Sequence, residues 1–298
     1  MNIELSEYPA RSTIYLLIKQ LRPKQWTKNL LVFAALLFSI QRFSTEMFLK
    51  SVTGFLLFCL ISSCVYIIND YVDREQDRLH PDKKNRPMAS GALNPKLAMS
   101  FGILLFSISM ITAVYLNVLF AVVLLLYFLI NITYSLRLKH VVIIDIMIIA
   151  SGFVLRAIGG GIVIGVELTP WFLLCTLLLA LFLAISKRRH ELYLLEEDKK
   201  HHRKVLEHYS IDLLNQFNSI VTTATIVFYA LFTFTSGHSI YLMWTMPLVI
   251  YGIFRYLYLI HKHNKGGKPE QVLFEDKHIL VTVILYALLV FAILLLFG

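Results

Sequence analysis

Apolar residues fall in long blocks along the chain, separated by short polar stretches, and they do not alternate as in a soluble domain. A helix that crosses the hydrocarbon core of a bilayer needs about 20 mostly apolar residues. A membrane β-barrel would show short alternating segments instead, so the pattern predicts an all-α, polytopic membrane helical bundle. It contains nine candidate transmembrane helices, at approximately 27–43, 49–70, 97–115, 118–135, 141–163, 170–187, 213–235, 239–261 and 278–297.

The polar segments are too short to form an appended soluble domain, so residues 1–298 are interpreted as a single integral membrane domain. Glu4 and Glu7 argue against a signal peptide at the amino terminus. Within residues 1–28, the stretch 8–28 is predicted to form an amphipathic helix at the membrane interface. Its lipid-facing positions are Tyr15, Leu16, Ile18, Leu21 and Trp26, and its basic positions are Lys19, Arg22, Lys24 and Lys28. The polar segments 71–96 and 187–212 are predicted to be ordered caps on the cytosolic face.

The chain carries a formal net charge of +9, and its basic residues concentrate at one end of the predicted bundle. If the amino terminus lies in the cytosol, almost all Lys and Arg residues outside the spans lie on the cytosolic side, as the positive-inside rule requires. This predicts a multi-pass protein of the cell (inner or plasma) membrane with its amino terminus and active site in the cytosol. The basic excess therefore requires no nucleic acid, and no base-reading motif is present.

The most informative polar motif lies where the second candidate span ends. Asn69, Asp73 and Asp77 are spaced i, i+4 and i+8, so they lie on one face of a helix that leaves the membrane. Carboxylate and amide oxygens are ligands that suit Mg²⁺, which commonly takes one or two carboxylates and completes its shell with water and phosphate. The motif therefore predicts a magnesium site, and the alternative is a solvated acidic helix end.

The fifth candidate span carries two ionisable residues, Asp145 and Arg156. Charged residues inside spans are costly and usually functional. The two positions are eleven residues apart, about three helical turns, so both can face one cavity. The alternative is a structural Asp–Arg or Asp–Lys pair buried in the bundle. Several glycines on the same span favour close helix packing and carry no catalytic prediction: Gly152, Gly159, Gly160, Gly161 and Gly165.

The segment 69–77 resembles the NDxxDxxxD motif of the UbiA-type intramembrane prenyltransferase superfamily. The following segment 85–91 (Asn-Arg-Pro-Met-Ala-Ser-Gly) resembles the Arg-Pro-containing loop of that family. The resemblance covers essentially the whole chain, and nine spans is the helix count of the family. It implies that Asn69, Asp73 and Asp77 hold Mg²⁺ on the diphosphate of a substrate.

Classical members of the superfamily carry a second Asp-rich motif after the sixth span. Here that place holds Ser-Lys-Arg-Arg-His-Glu at 186–191, a basic run better suited to phosphate than to a metal. Together with 134–139 and 21–29, this run resembles the polyprenyl-phosphate phosphoribosyltransferase branch, whose members include decaprenyl-phosphate phosphoribosyltransferases. That branch transfers phosphoribose from 5-phosphoribosyl 1-diphosphate to a polyprenyl phosphate and releases diphosphate.

The resemblance implies a set of substrate-binding residues. The candidates for the donor or lipid phosphates are Lys24, Lys28, Arg86, Tyr134, Lys139, Lys187, Arg188 and Arg189. Asp145 and Arg156 are expected to shape the ribose end of the cavity. Two alternatives remain: a UbiA-type prenyltransferase that moves a prenyl chain to an aromatic or other acceptor, and a secondary transporter. The length of the polyprenyl chain, the choice of Mg²⁺ over Mn²⁺ and the oligomeric state, including a homo-oligomer, are left open.

Overall fold

The computed structural model describes residues 12–79, 83–197, 204–263, 267, 272 and 274–297. Every regular element in these ranges is helical. The α-helices are α1 (Thr13–Gln20), α2 (Ala34–Phe38), α3 (Thr45–Val72), α4 (Arg74–Leu79), α5 (Pro95–Leu116), α6 (Val118–Leu136), α7 (Ile144–Ile164), α8 (Pro170–Glu197), α9 (Ile211–Thr235), α10 (Met246–His263) and α11 (Lys277–Phe297). The 3₁₀-helices are Pro23–Phe33, Ile40–Arg42, Leu138–His140, Lys204–His208 and Ile240–Thr245.

Among the described residues, eight helices are long and apolar enough to cross a membrane. They are α3, α5, α6, α7, α8, α9, α10 with the 3₁₀ turn before it, and α11. Consecutive long helices pack side by side, so the chain runs up and down through the bundle. Large apolar side chains such as those of Tyr115 and Leu296 point outward, as on a lipid-facing surface. The predicted class, an all-α polytopic bundle, is confirmed.

The first predicted span is not a regular α-helix. The 3₁₀-helix Pro23–Phe33 leads into the short α2 and then into a second 3₁₀ turn. In a 3₁₀-helix, side chains three residues apart lie on one face. Trp26, Asn29 and Val32 follow this spacing and point toward α3 and α7. At about 2.0 Å per residue over 11 residues, plus about 1.5 Å for each residue of α2, this segment is about 30 Å long, which matches the hydrocarbon thickness.

The irregular segment approaches α7 at the glycine run. A Cβ placed on Gly160 would overlap the backbone carbonyl oxygen of Val32 and would lie 2.9 Å from the carbonyl carbon. A Cβ on Gly159 would likewise meet the ring of Phe58 at 2.7 Å. Gly160 therefore lets two backbones come into contact, and Gly159 makes room for an aromatic ring, which is the close packing predicted for this span.

Substitution of Gly160 by alanine should reduce the free energy of unfolding by about 1–3 kcal/mol, because backbone atoms cannot yield as a flexible side chain does. The measurement is thermal unfolding of the purified protein in detergent. The matched control is Gly252→Ala in α10, where the nearest atom to the new Cβ would be the Thr282 methyl at 3.7 Å. Equal unfolding temperatures for the two variants would contradict the close backbone contact.

The predicted interfacial helix is shorter than expected. Helix α1 ends at Gln20, and residues 1–11 lie outside the described ranges. The prediction that Leu16 and Leu21 face lipid was wrong, because both are buried and pack in one cluster with Ile67 of α3. Burying these side chains holds the amino-terminal segment against the bundle. The positions that stay exposed on α1 include Tyr15 and Ile18.

The first of the two predicted cap segments is only partly helical, and the second is mostly helical in its described part. In the first, Asp73 separates α3 from α4, and turns follow from residue 83 to the start of α5. In the second, α8 continues to Glu197, so the basic run at 186–191 lies inside a helix and not in a loop after the span.

Candidate active site

The acidic motif lies at the end of α3 and in α4. Asp73 is the last residue of the α3 turn, and its N–H donates to the carbonyl of Asn69 at 2.9 Å. The N–H of Asp77 donates in turn to the carbonyl of Asp73 at 2.8 Å. The helical hydrogen-bond spacing therefore continues through the junction, and the structure brings the three predicted ligands to one side of the chain. Asn69 and Asp73 are half-buried, and Asp77 is buried.

A further carboxylate, Asp70, lies at the centre of this group. It is 2% exposed and accepts hydrogen bonds from Gln20 Nε2 at 2.7 Å and Arg86 Nη1 at 3.0 Å. The Arg22 guanidinium forms a third, short contact with the same carboxylate. The sequence analysis quoted Asp70 within the motif but gave it no role. Its spacing of seven residues from Asp77, two helical turns, was the available signal.

Basic side chains from other segments neutralise the remaining carboxylates. The Nη1 of Arg86 donates to both Asp70 and Asp77, at 2.5 Å in the second case, and thereby joins the two helices. Lys139, from the turn after α6, donates to both oxygens of Asp73 at 3.1 and 3.3 Å. Two of the predicted phosphate-binding cations therefore lie directly on the predicted metal ligands.

The donor atoms of the motif suit a hard divalent cation. Asp73 and Asp77 supply carboxylate oxygens and Asn69 supplies an amide oxygen, while within the described ranges no group of three or more His, Cys, Asp and Glu side chains could hold a metal. Mg²⁺ requires only one or two protein carboxylates when substrate phosphates complete its shell. The motif therefore offers such a metal one or two carboxylates and an amide oxygen.

The 3₁₀-helix Pro23–Phe33 carries two of the predicted phosphate-binding lysines. Lys24 is exposed and Lys28 is half-buried. The same segment places Asn29 inside the bundle, where it is fully buried and donates to Ser62 Oγ at 3.4 Å. One side of this segment is therefore anchored in the core while its lysines stay near the surface.

Arg188 occupies the interior of the bundle. Its Nε donates to Asp145 Oδ2 at 2.6 Å, its Nη1 to Glu191 Oε2 at 2.5 Å and its Nη2 to Tyr134 OH at 3.1 Å. Arg188 is 1% exposed and Asp145 0%. A buried charge is tolerated when it is paired and hydrogen-bonded in this way. All three nitrogens of the Arg188 guanidinium thus donate a hydrogen bond to a protein partner.

Tyr209 completes the network on the other side of Asp145. Its hydroxyl donates to Asp145 Oδ1 at 2.7 Å and accepts the N–H of Ile143 at 2.7 Å. Burial, together with the hydrogen bond to the carboxylate, raises the pKa of Tyr209 above its ordinary value. The hydroxyl therefore keeps its proton at neutral pH and remains a donor to Asp145.

The other two cations of the basic run point elsewhere. Arg189 is buried, and its Nε donates to Asn215 Oδ1 at 2.7 Å while its Nη1 donates to the Ile260 carbonyl at 3.2 Å. It therefore links α8 to α9 and α10. Lys187 is half-buried. Successive residues of a helix are about 100° apart, which is why the run separates into three directions.

Arg156 has partners of its own. Its Nε donates to Asn29 Oδ1 at 2.6 Å, its Nη2 to Tyr127 OH at 2.7 Å and its Nη1 to the Gly152 carbonyl at 2.7 Å. Since Asp145 pairs with Arg188, the two charges of α7 belong to separate networks, although both point into the bundle. Arg156 joins the first segment to α6 and α7.

Comparison with known proteins identifies the family. The profile of the UbiA prenyltransferase family matches residues 30–274. The chain belongs to this family. A decaprenyl-phosphate phosphoribosyltransferase from Mycolicibacterium smegmatis is 35% identical over 285 residues, which cover 90% of this chain and 89% of the relative. The protein of the same name from Corynebacterium glutamicum is 36% identical and covers 88% of this chain and 81% of the relative.

Solved structures bear out the fold of this UbiA-family protein. A UbiA homologue from Archaeoglobus fulgidus, solved bound to GPP and Mg²⁺, superposes with a TM-score of 0.72. The superposition covers 94% of this chain and all of the homologue, at 21% sequence identity. Nine transmembrane helices were predicted. The described ranges contain eight long helices, and the irregular segment that begins with the 3₁₀-helix Pro23–Phe33 takes the place of the ninth.

Proposed function

We propose that this UbiA-family protein transfers the 5-phosphoribosyl group from 5-phosphoribosyl 1-diphosphate to a polyprenyl phosphate and releases diphosphate. The observation that carries the proposal is the similarity, over nine-tenths of both chains, to a decaprenyl-phosphate phosphoribosyltransferase. The basic run at 186–191, where classical prenyltransferases carry a second acidic motif, supports the same branch. The protein would then be a pentosyltransferase that acts on one soluble substrate and one lipid substrate.

Asn69, Asp73 and Asp77 are the residues proposed to hold Mg²⁺. Bound there, the metal would supply positive charge to the departing diphosphate. Asp70 is not proposed to bind the metal, because it is buried and already pairs with Arg22 and Arg86. We assign it the positioning of Arg22 and Arg86 around the site.

The transfer itself needs no strong general base. The nucleophile is an oxygen of the lipid phosphate, whose second pKa is about 6, so it is mostly a dianion at neutral pH. A bond forms between this oxygen and the anomeric carbon, while the bond from that carbon to the diphosphate oxygen breaks and its electron pair leaves with diphosphate. The ribose passes through an oxocarbenium-like state, as in other glycosyl transfers.

Arg86 and Lys139 are suited to change partners during binding. Both form ion pairs with the acidic motif, and both side chains are partly exposed, at 24% and 16%. An incoming diphosphate with its metal would take over the carboxylates and offer phosphate oxygens to the two cations. The other surface candidates for the donor or lipid phosphates are Lys24, Lys28 and Lys187.

Two residues that were predicted to bind phosphate are buried, and we propose a structural role for them. Arg188 and Arg189 are fully enclosed by protein partners, so we assign them the positioning of α8 against its neighbours. Tyr134 lies between Arg188 and the surface and remains a candidate for substrate contact. Asp145 and Arg156, which belong to separate networks, are proposed to shape the ribose end of the site.

The membrane orientation follows from the distribution of charge. The acidic motif and most basic residues outside the spans lie at one end of the bundle. We propose that this end faces the cytosol of a cell (inner or plasma) membrane, as the positive-inside rule requires. A cytosolic site would have direct access to a soluble, highly charged donor.

The experiment that tests the function uses purified protein in detergent, Mg²⁺, labelled 5-phosphoribosyl 1-diphosphate and a polyprenyl phosphate. Label should pass into the organic phase, and chelation of Mg²⁺ should remove at least about 90% of the transfer, as expected if metal and diphosphate bind together. The second candidate is a prenyltransferase, the activity for which the matching family is named. Prenyl transfer from a polyprenyl diphosphate to an aromatic acceptor, without phosphoribosyl transfer, would decide for it.

A further inference from the structure

The seam between α3–α4 and α5 contains two adjoining cavities. The lower one has a volume of about 120 Å³ and is wholly apolar, with Ile67, Ile68, Met99, Gly102 and Ile103 among its lining residues. The upper one has a volume of about 450 Å³ and is lined by Tyr71, Arg74, Glu75, Arg78 and Lys96, among others. Neither cavity includes a residue proposed above to bind substrate.

The two cavities follow each other along the same pair of helices. Ile68 and Tyr71 lie on successive turns of α3, and Lys96 and Met99 lie on successive turns of α5. Since α3 ends at Val72 and α5 begins at Pro95, the upper cavity lies where the spans leave the bilayer. The lower cavity lies within the span. A polar chamber at the membrane surface therefore opens above an apolar groove at the depth of lipid chains.

The upper cavity has an excess of positive charge. Arg74, Arg78 and Lys96 face a single carboxylate, Glu75, so the formal charge of this set is +2. Glu75 accepts from Arg74 Nε at 3.1 Å and from Arg78 Nη1 at 2.8 Å, yet its side chain is 64% exposed. One exposed carboxylate shared between two guanidinium groups leaves both groups able to bind another anion.

The neighbouring side chains hold these cations at the rim. The Arg74 guanidinium lies over the ring of Tyr71, 5.0 Å from its centroid. Arg78 Nε donates to the Ala89 carbonyl at 3.0 Å. An aromatic ring beside basic side chains is typical of the headgroup level of a bilayer.

The seam is also distinct from the candidate active site. Arg74 and Arg78 each follow an acidic ligand, Asp73 and Asp77, by one residue, and so lie about 100° further round the helix. The acidic side chains pair with Arg86 and Lys139, none of which lines the seam. Whereas Asp77 of the acidic motif is buried, Ile103 in the lower groove is 63% exposed on the outer surface of the bundle. The seam therefore opens toward lipid.

We propose that this seam binds an anionic phospholipid of the surrounding bilayer, with its phosphate among Arg74, Arg78 and Lys96 and an acyl chain in the groove below. Basic pockets between spans at the membrane surface bind acidic headgroups in this way. The charge excess accounts for selection of an acidic over a zwitterionic lipid, and the groove accounts for selection of a lipid over a soluble phosphate. The proposal does not depend on the transferase function.

The test compares wild-type protein with the variant Arg74→Gln/Lys96→Gln, both purified in a neutral detergent. Binding of phosphatidylglycerol is measured by native mass spectrometry and by the shift of the thermal unfolding temperature. We expect phosphatidylglycerol, but not phosphatidylcholine with the same chains, to bind and stabilise the wild type. The variant should bind about 30-fold more weakly, since each basic residue at the surface contributes about a factor of five.

The matched control is Arg137→Gln/Lys277→Gln, which removes two exposed cations from the same end of the bundle but away from the seam. It should retain wild-type binding, and a loss equal to that of the seam variant would mean unspecific charge attraction and would overturn the proposal. Glycerol phosphate should not bind to the same extent, because it lacks the acyl chain. If polyprenyl phosphate displaced phosphatidylglycerol and lost affinity in the seam variant, the seam would be a site for the acceptor, and the phospholipid assignment would be wrong.

Discussion

Replacement of Asp73 by asparagine should lower phosphoribosyl transfer by on the order of 10²- to 10³-fold without unfolding the protein. Asp73 is the most exposed carboxylate of the acidic motif, at 21%, and its ion pair with Lys139 is partly open to solvent. Removing such a pair costs about 0–1 kcal/mol of stability. The loss of a charged ligand from the diphosphate site would instead act on the rate of transfer.

The measurement is transfer of label from 5-phosphoribosyl 1-diphosphate at several Mg²⁺ concentrations. Asp212→Asn is the matched control, because Asp212 is an exposed acidic residue in the first turn of α9 at the same end of the bundle. We expect this control to remain within about twofold of the wild type, as for surface substitutions away from a site. Activity of the Asp73 variant near that of the control would remove Asp73 from the site.

Replacement of Asp145 by alanine should cost about 3–5 kcal/mol of stability, the largest loss expected for a single change in this protein. The change leaves the Arg188 guanidinium in the interior without its main counter-charge, and it also removes the acceptor of the Tyr209 hydroxyl. We expect a sharply lowered unfolding temperature and poor recovery of folded protein from membranes.

A second variant separates structure from substrate binding. Asp145→Leu combined with Arg188→Met replaces the buried pair by apolar side chains and should recover much of the lost stability. Glu191 also pairs with Arg188, but its side chain is 25% exposed and water can reach it. Glu191→Gln is therefore the control, and we expect it to change the stability only slightly. If Arg188→Met alone kept wild-type stability and raised only the Michaelis constant for the donor, Arg188 would be a phosphate ligand and the structural assignment would be wrong.

The long helices were predictable because each one is a local property of the chain. In a bilayer, a block of about 20 apolar residues forms a transmembrane α-helix, because only a helix satisfies all of its backbone hydrogen bonds within the segment. The segment around Asn29 was not predictable in the same way, since its 3₁₀ form depends on contacts with residues far along the chain. Arg156, 127 residues further along the chain, donates to the Asn29 side-chain oxygen, and Gly160 allows the close approach of the backbone at Val32.

The helical spacing of the candidate site was predictable from the sequence, but its ion pairs were not. The spacing of Asn69, Asp73 and Asp77 is a helical signal, and the structure keeps it across the junction between two helices. The pairing of Asp70 with Arg22 joins residues 48 positions apart, for which the sequence holds no local signal. The family resemblance, in contrast, depends on the motifs themselves and was confirmed by the family profile.

The placement of the basic run at 186–191 in a loop was wrong, because α8 extends to Glu197. Three adjacent cations are usually solvated, and their placement in a loop made a phosphate site the natural interpretation. Continuation of α8 through the run turns each side chain in a different direction. Arg188 and Arg189 then find carboxylate, amide and carbonyl partners on three neighbouring helices.

The irregular first segment has a consequence for how the protein is inserted during synthesis. Its 3₁₀ geometry gives it little tendency to enter lipid alone, because 3₁₀ hydrogen bonds are poorer than those of an α-helix and unsatisfied backbone groups are costly in lipid. The segment packs against α3 and against the glycines of α7, which ends at Ile164. This segment therefore reaches its final place only after the chain has been made through α7.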